Sequence, residues 1–402
     1  MRIFLSTGEP SGDLHAANLI HSLRRRCPDA KFVGFGGPRM ADAGAEVLFP
    51  LVDMAVMWFL QVLLNVNTFI ELVGKADRYF QEHRPDAVIL IDYPGLHWWI
   101  ARKAKKRGIP VFYYVPPQIW AWAGWRVKKV RRFVDHVLCS LPFEPAWYHA
   151  RGVPQAKYVG HPYFDELAER VLDSTFIGKE KAKTGSVVAI LPGSRTQEVT
   201  RNFPVMLSAA IKLSKRPDTR FVVACLHQKH KAMVETMIAS TTGAASLSID
   251  VHAARTAELI RLADVCWAVS GSVGLELMME ALPTVVLYKV RRFDLLIARR
   301  FIKSKYISLV NLLADAEVMP EYLTERDVSS ELANWASRWL NDPAERSKSA
   351  RALADLRAKV AIPGASDRAA DEIVSVLLPK SYRGPHERTG LGAETEADHT
   401  SA

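Results

Sequence analysis

Cysteine is scarce in this sequence of 402 residues, and the four that occur lack the CxxC spacing of zinc and redox sites. Their wide separation argues against both a disulfide framework and a metal cluster, so we expect no metal ligands. The amino terminus also lacks the apolar segment and cleavage site of an export signal, which predicts a cytoplasmic protein. Long apolar runs are missing as well: residues 54–70 carry no charge but fall short of the about 20 residues that a membrane span needs.

Two common kinds of nucleotide-binding loop are absent. No GxxxxGK[ST] run occurs, which excludes a P-loop. The segment GFGGPRM (residues 34–40) begins like a dinucleotide-binding loop, but Arg39 stands where the third glycine of GxGxxG belongs. The sequence therefore disfavours a nicotinamide site.

The composition is that of a folded, basic protein. Hydrophobic residues make up 49% of the chain, which is typical of a globular protein rather than a disordered or polytopic membrane chain. A formal net charge of +10 favours anionic partners. Nucleotide phosphates, acidic lipid head groups and nucleic acid all fit, and charge alone does not choose among them.

Short β-rich runs alternate with amphipathic helical segments in two successive series. Such alternation predicts an α/β fold with parallel sheets covered by helices on both faces, arranged as two Rossmann-like halves. We expect a linker at the polar residues 165–185 and a disordered tail after about residue 380. The predicted strands cover residues 2–5, 31–35, 87–92, 111–115 and 136–141 in the first half, and 186–191, 220–226, 265–270 and 284–289 in the second.

The uncharged segment 54–70 has the periodicity of a helix. Its polar positions recur every three or four residues and continue beyond it, forming one stripe of Gln61, Asn65, Thr68, Glu71, Lys75 and Arg78. A core helix packed on the sheet explains this pattern. Apolar side chains spread around more of the helix than one contact with the core covers. The second interpretation is therefore that part of the helix surface contacts an apolar partner outside the core.

Three small-residue turns follow predicted strands, which is where doubly wound sheets bind their ligands. They are GEPSGD (8–13), LPGSRTQEV (191–199) and SGSVGLELMMEAL (270–282). Small residues let the backbone approach a phosphate, an arginine can hold two diphosphate oxygens, and a carboxylate can accept hydrogen bonds from ribose. The structural alternatives are a helix-terminal charge at Asp13, an exposed side chain at Arg195 and a helix-dipole carboxylate at Glu276.

Asp92 comes directly after the apolar strand AVILI. A carboxylate at a buried strand end is desolvated and suited to take a proton from an alcohol. The alternative is a side chain that only caps the adjacent loop.

Tryptophans and basic residues are interleaved at 116–136, and a second basic and apolar run covers 289–306. This combination suits a membrane interface with anionic lipids, and single-stranded nucleic acid could use the same chemistry. The second run favours lipid, so we expect no nucleic-acid partner.

The motifs GEPSGD, GGPRM, IDYP, PQIWAW, LPFE, GHP, LPGSR and NLLA occur in this order along residues 1–375. In this set and order the sequence resembles the lipid-A-disaccharide synthases. The resemblance implies a GT-B architecture, in which two Rossmann-like domains face a cleft and a C-terminal helix crosses back to the first domain. It implies an acceptor and membrane-contact domain at 1–170, a UDP-sugar domain at 171–345, a returning helical segment at 346–380 and the tail at 381–402.

The same resemblance implies an inverting, metal-independent glycosyltransferase. Such an enzyme moves 2,3-diacylglucosamine from its UDP derivative to the 6-hydroxyl of 2,3-diacylglucosamine 1-phosphate (lipid X), giving UDP and a β-1,6-linked disaccharide 1-phosphate. The UDP-sugar is a substrate, so no cofactor is expected. The resemblance also implies peripheral contact with the cytoplasmic face of the inner membrane, here through residues near 54–70 and 116–132, and it leaves a homodimer open.

Site residues follow from the resemblance by position. Asp92 matches the base for the acceptor hydroxyl, and Arg195 matches the group that stabilises charge on the leaving diphosphate. The residues that match nucleotide-side motifs are Gly193, Ser194, Glu198, Ser270, Gly271, Ser272, Glu276, Tyr288 and Asn311, and those that match the first loop are Ser11, Gly12 and Asp13.

Three places depart from the family pattern, all in the half expected to bind the acceptor. Gly95, Leu96 and His97 replace the usual D-F-N after IDxP, Trp58 and Gln61 replace a small residue and an acid, and Pro116 replaces a serine. Two other functions stay open because one fold hosts several chemistries. They are another GT-B enzyme acting on a UDP-aminosugar, and a non-catalytic lipid- or nucleic-acid-binding protein on this scaffold.

Overall fold

The computed structural model describes residues 1–53, 66–216, 218–290 and 304–378. Most of the uncharged segment 54–70, including Trp58 and Gln61, lies outside the described residues. So do most of the basic run 289–306 and the tail predicted after about residue 380. Within the described ranges, no helix is both long enough and apolar enough to cross a bilayer.

Seven parallel strands form the first sheet: β1 (Arg2–Thr7), β2 (Lys31–Phe35), β3 (Glu46–Phe49), β4 (Ala87–Ile91), β5 (Val111–Tyr114), β6 (His136–Cys139) and β7 (Ala156–Tyr158). Their order is β3-β2-β1-β4-β5-β6-β7. The interior strands are continuous apolar runs because both faces are covered. Val88 of β4 packs in one buried cluster with Ile100, and the adjacent Ile89 packs in another with Leu19.

The helices that accompany this sheet are α1 (Pro10–Arg26), α2 (Pro38–Asp42), α3 (Val66–His83), α4 (Pro94–Lys106), α5 (Ile119–Trp122), α6 (Val127–Phe133) and α7 (Glu144–His149). Proline opens α1, α2 and α4 because the first turn of a helix has no use for its missing N–H. Arg24, Arg25 and Arg26 end α1, where positive charge is favourable to the helix dipole.

Six parallel strands form the second sheet: β8 (Ser186–Leu191), β9 (Thr219–Cys225), β10 (Ser248–Ala253), β11 (Val265–Val269), β12 (Thr284–Lys289) and β13 (Glu321–Thr324). Their order is β10-β9-β8-β11-β12-β13. The same doubly wound arrangement thus occurs twice, and the prediction of two Rossmann-like halves is confirmed.

The remaining helices are α8 (Tyr163–Glu169), α9 (Ser174–Lys181), α10 (Thr196–Leu213), α11 (Gln228–Ser240), α12 (Thr256–Leu262), α13 (Val273–Met279), α14 (Leu309–Ala314), α15 (Ser329–Asn341), α16 (Pro343–Val360) and α17 (Ala365–Leu377). Most of them cover the two faces of the second sheet. Ile190 of β8 packs with Phe203 on one side, and Leu191 packs with Leu275 on the other.

The expected linker at 165–185 is largely helical, because α8 and α9 occupy most of it. Asp173 begins α9 by accepting a hydrogen bond from the backbone N–H of Phe176 at 2.9 Å, which compensates an unpaired amide of the first turn. Polar composition therefore marks solvent-exposed helices here rather than an irregular linker.

The segment expected to return to the first domain, 346–380, holds two helices with different partners. Leu353 of α16 packs in the core of the second half. Ala369 and Ile373 of α17 pack in the first half, in the cluster that contains Leu19 of α1. The crossing of a C-terminal helix back to the first half is confirmed, and the crossing helix begins at Ala365.

Candidate active site

The two halves meet at the carboxyl edge of the first sheet. A narrow gap between them is lined from the first half by Ser140 and Leu141, which follow β6. From the second half it is lined by Leu275 of α13 and Leu313 of α14. Residues that follow a strand of the first sheet therefore face helices of the second half.

Most candidate residues follow the strands that flank the two points where the strand order reverses. In the first sheet this point lies between β1 and β4, which are followed by the loop 8–13 and by Asp92. In the second sheet it lies between β8 and β11, which are followed by Arg195 and by Ser270. Open α/β sheets bind ligands at the carboxyl ends of their strands at such reversal points.

Asp92 occupies an unusual turn between β4 and α4. Its φ is 50° and that of Tyr93 is 43°, in the left-handed region that few non-glycine residues adopt. The backbone carbonyl of Asp92 accepts a hydrogen bond from the hydroxyl of Tyr113 at 2.8 Å, and Nδ1 of His97 lies 2.7 Å from the same oxygen. Contacts from side chains thus offset a conformational cost of about 1–3 kcal/mol per residue.

Burial, with a smaller contribution from the negative charge of Glu9, raises the pKa of Asp92 to about 6. A carboxyl with this pKa is largely ionised at neutral pH and is a stronger base than an ordinary aspartate. The loop 8–13 packs against the adjacent Tyr93, where a Cβ on Gly8 would lie 2.5 Å from the ring.

Arg195 precedes α10 in a turn that is organised by Glu198. The Glu198 carboxylate accepts hydrogen bonds from the backbone N–H groups of Ser194 at 2.9 Å and Arg195 at 3.2 Å. It also lies 3.2 Å from Nη1 of Arg195, whose side chain is 63% exposed. The guanidinium is therefore accessible to a bound diphosphate, whereas Glu198 supports the turn from within.

Gly193 is required by the geometry of the same turn. Its φ is +125°, and a Cβ at this position would lie 2.5 Å from the Cβ of Glu198. A larger residue would have to displace the carboxylate that organises the turn.

The turn after β11 is open where a ligand would approach it. The hydroxyl of Ser270 donates to the backbone carbonyl of Ile307 at 2.8 Å. Gly271 and Ser272 are exposed, and no atom lies within 4 Å of the position a Cβ on Gly271 would take. Ser270 thus fixes the turn, and the two residues after it are accessible.

Glu276 of α13 already has two partners from the connection between the halves. The hydroxyl of Tyr163 donates to Oε1, and Nη1 of Arg170 lies 2.5 Å from Oε2. The side chain of Glu276 is 12% exposed. A ribose hydroxyl would have to share this carboxylate or displace a partner.

Two residues expected in the nucleotide or first-loop set are used inside the fold. Asp13 is buried and accepts hydrogen bonds from the backbone N–H groups of Gly37, Arg39 and Met40 at 2.9 to 3.2 Å, which fixes the start of α2. Asn311 is buried and exchanges hydrogen bonds with the main chain of Met319. Their polar atoms are occupied, so we no longer expect either side chain to contact a ligand.

The other matched residues occupy varied environments. Ser11 is exposed in the first loop, and Gly12 lies so close to β1 that a Cβ would be 2.1 Å from Oγ1 of Thr7. Tyr288 of β12 is partly buried against the core of the second half. Gly12 therefore serves packing, whereas Ser11 is accessible.

One cluster has ligand atoms spaced as in a metal site. Atoms of Glu180, Asp250 and His252 all lie within 4.8 Å of one another. Cationic side chains already neutralise the carboxylates: Arg220 and Lys183 each lie 2.8 Å from Glu180, and Lys183 lies 3.0 Å from Asp250. The protein's own cations thus supply the charge that a metal would bring.

Glu144, in the LPFE motif, is a buried carboxyl that is not among the predicted site residues. It accepts hydrogen bonds from Nε1 of Trp120 and from the backbone N–H groups of Ser140 and Leu141, each at 3.0 Å. Burial raises its pKa to about 7. Glu144 thus connects Trp120, in the motif PQIWAW, to the residues that line the gap between the halves. The motif LPFE is the feature of the sequence that could have identified it.

An aromatic surface, formed by Trp122 and Trp125, lies beside α6. The two side chains are 43% and 59% exposed. The guanidinium of Arg126 lies 4.7 Å from the ring of Trp122 and 5.9 Å from that of Trp125. Exposed indoles next to a cation are typical of side chains that meet a membrane interface.

Comparison with known proteins decides the family. The model of the lipid-A-disaccharide synthetase family matches residues 3–369. The chain belongs to this family. A lipid-A-disaccharide synthase of Anaeromyxobacter dehalogenans (strain 2CP-C) is 37% identical over 380 residues, covering 94% of this chain and 97% of the relative. That of Geobacter sulfurreducens is 34% identical over 384 residues, covering 94% and 97%.

Solved structures of low sequence identity share the fold of this family member. MnaA of S. aureus, solved with UDP, has a TM-score of 0.65 at 12% identity and covers 94% of this chain and 96% of its own. MurG of Acinetobacter baumannii has a TM-score of 0.59 at 15% identity and covers 92% and 98%. The fold is therefore the GT-B arrangement of two Rossmann-like halves.

Proposed function

We propose that this chain transfers 2,3-diacylglucosamine from UDP-2,3-diacylglucosamine to the 6-hydroxyl of 2,3-diacylglucosamine 1-phosphate. Membership of the lipid-A-disaccharide synthase family supports the reaction. One observation carries the mechanism. The carboxyl of Asp92, whose pKa is raised, lies where the strand order of the first sheet reverses, and the accessible guanidinium of Arg195 lies where that of the second sheet reverses.

In this mechanism Asp92 takes the proton of the acceptor's 6-hydroxyl as its oxygen attacks the anomeric carbon of the donor. The bond from that carbon to the UDP oxygen breaks on the opposite face, so the configuration inverts and a β-1,6 linkage forms. The electron pair leaves with UDP. Arg195 stabilises the charge that grows on the diphosphate, an interaction that is strongest in the transition state.

The partners of this reaction are two lipids, so we also propose peripheral contact with the cytoplasmic face of the inner membrane. The exposed rings of Trp122 and Trp125 support contact through residues near 116–132. Ile70, 62% exposed near the start of α3, supports contact near 54–70. The acceptor half would then collect its substrate from the bilayer.

The test is product formation by the purified protein with both lipid substrates. We expect UDP and the disaccharide 1-phosphate in equal amounts from the wild type, and loss of both in Asp92→Asn and Arg195→Ala. Asp29→Asn and Arg351→Ala, at exposed positions, are matched controls that should stay active. Wild-type turnover without disaccharide would contradict the reaction, and activity in both site variants would contradict the mechanism.

A UDP-aminosugar epimerase is the competing enzymatic interpretation, because epimerases share this fold. Supplying UDP-N-acetylglucosamine alone distinguishes the two, since an epimerase converts it without an acceptor. We expect no conversion.

A further inference from the structure

His97 is a fully buried histidine on α4 whose two ring nitrogens both have partners. Nδ1 lies 2.7 Å from the backbone carbonyl oxygen of Asp92, and Nε2 lies 3.0 Å from Oγ of Ser6 at the end of β1. The ring therefore spans the two strand ends between which the order of the first sheet reverses.

The chemistry of the partners assigns the tautomer. A backbone carbonyl only accepts hydrogen bonds, so Nδ1 must carry the proton and donate it to Asp92. Burial lowers the pKa of His97 to about 3, so the ring is neutral and Nε2 holds a lone pair. The hydroxyl of Ser6 then donates to Nε2, and every polar atom of the ring is satisfied.

Tyr113 donates to the same Asp92 carbonyl from the neighbouring strand β5, at 2.8 Å. Two donors on one carbonyl hold a peptide group whose flanking residues, Asp92 and Tyr93, both have positive φ. Because both φ angles are unfavourable for residues with a Cβ, loss of a donor would let the turn relax towards ordinary geometry. The direction of the Asp92 side chain would change with it.

We infer that His97, together with Tyr113, is a positioning residue for the reaction, holding the Asp92 main chain in the conformation that aims its carboxyl at the acceptor. This inference rests on the proposed role of Asp92 as the base. It concerns a residue of this chain that does not itself touch the reacting atoms.

Two amide replacements separate the two bonds of the ring. The side-chain nitrogen of asparagine falls near the position of Nδ1. The terminal amide of the longer glutamine reaches the position of Nε2, where its oxygen can accept from the hydroxyl of Ser6. His97→Asn can therefore keep the hydrogen bond to the Asp92 carbonyl and lose the one to Ser6. His97→Gln can keep the hydrogen bond to Ser6 and lose the one to the Asp92 carbonyl. We expect His97→Asn to retain a kcat near that of the wild type, and His97→Gln to lose on the order of 100-fold in kcat with KM for both substrates unchanged.

Tyr113→Phe removes the hydroxyl that donates to the Asp92 carbonyl and keeps the ring. It therefore tests the second hydrogen bond to this carbonyl without altering the packing of the ring. We expect a fall in kcat, again without a change in KM. His136→Gln, at the opposite edge of the first sheet, is the control for replacing a histidine and should leave kcat unchanged.

The inference is overturned if His97→Gln is as active as His97→Asn, or if both variants raise KM and leave kcat intact. Should both fail to fold, an unchanged kcat in Tyr113→Phe overturns it equally. Asp92→Asn reports separately on the proposed function: if it is inactive while the His97 and Tyr113 variants match the wild type, the base assignment stands and only the positioning role fails.

Discussion

Nη1 of Arg170 lies 2.5 Å from Oε2 of Glu276, and the hydroxyl of Tyr163 donates to the other oxygen of the same carboxylate. Both partners belong to the connection between the halves, whereas Glu276 belongs to the turn and helix after β11. The carboxylate that we expect to receive ribose hydroxyls thus also anchors the interdomain connection. We therefore expect nucleotide binding and the position of α8 to be coupled through this side chain.

Replacing Tyr163 by phenylalanine should tighten UDP binding. The change frees a lone pair of Glu276 for a ribose hydroxyl, and a hydrogen bond of about 1 kcal/mol corresponds to roughly 5-fold in Kd. Isothermal titration with UDP measures this, and Tyr158→Phe, at an exposed tyrosine, is the control. Unchanged or weaker binding would mean that ribose does not reach Glu276.

The pH dependence of kcat should follow the ionisation of Asp92. Its pKa is raised to about 6 by burial and then by Glu9, and only the ionised form accepts a proton. In measurements between about pH 5 and pH 8 we therefore expect kcat to reach half its maximum near pH 6 and to level off above about pH 7. Glu9→Gln removes the neighbouring negative charge, lowers the pKa of Asp92 and shifts the rise to lower pH. A rise that stays in place in Glu9→Gln would assign it to another group.

Arg195→Lys should slow the chemical step while the fold is kept. Lysine retains the charge but not the two-pronged contact of a guanidinium with diphosphate oxygens, so we expect kcat to fall on the order of 100-fold. Thermal unfolding should change little, because the ion pair to Glu198 involves a largely exposed guanidinium and exposed pairs contribute little to stability. Arg201→Lys, at the next arginine along α10, is the control, and an equal loss of activity there would show that the effect is not specific to the turn before the helix.

Interior strands could be predicted from the sequence, and edge strands could not. β4 and β8 are buried on both faces, so they read as uninterrupted apolar runs. β3, β7, β10 and β13 each lie at an edge of a sheet and are short or half-exposed. β3, β7 and β13 are only three or four residues long and each contains a charged residue, so none of them forms a continuous apolar run. β10 (SIDVHA) alternates polar and apolar residues, which is the pattern of a half-exposed strand and not the continuous apolar run that predicted the interior strands.

The positions of Asp92 and Arg195 just after buried strands could be predicted from the sequence. The contacts that support Glu276 could not, because Tyr163 and Arg170 lie more than 100 positions from it and no local pattern relates them. The sequence is also ambiguous where the same local motif fits either a ligand-binding role or a structural role. Asp13 has the surroundings of a ligand-binding loop and yet organises the neighbouring helix.

Replacing Trp122 and Trp125 together by serine should reduce binding to vesicles of anionic phospholipid. Transfer of these exposed rings into the membrane interface removes apolar area from water. Even if the rings are only partly buried, their loss should weaken the free energy of membrane binding by about 1.4 kcal/mol, which lowers the bound fraction tenfold at low occupancy. Val171→Ser, at an apolar side chain that is 91% exposed, is the matched control. Salt should weaken binding of the wild type through screening of Arg126 and its basic neighbours, and the residual binding at high salt should disappear in the double variant. Cosedimentation that is equal for wild type and double variant at both salt concentrations would contradict a membrane role for this surface.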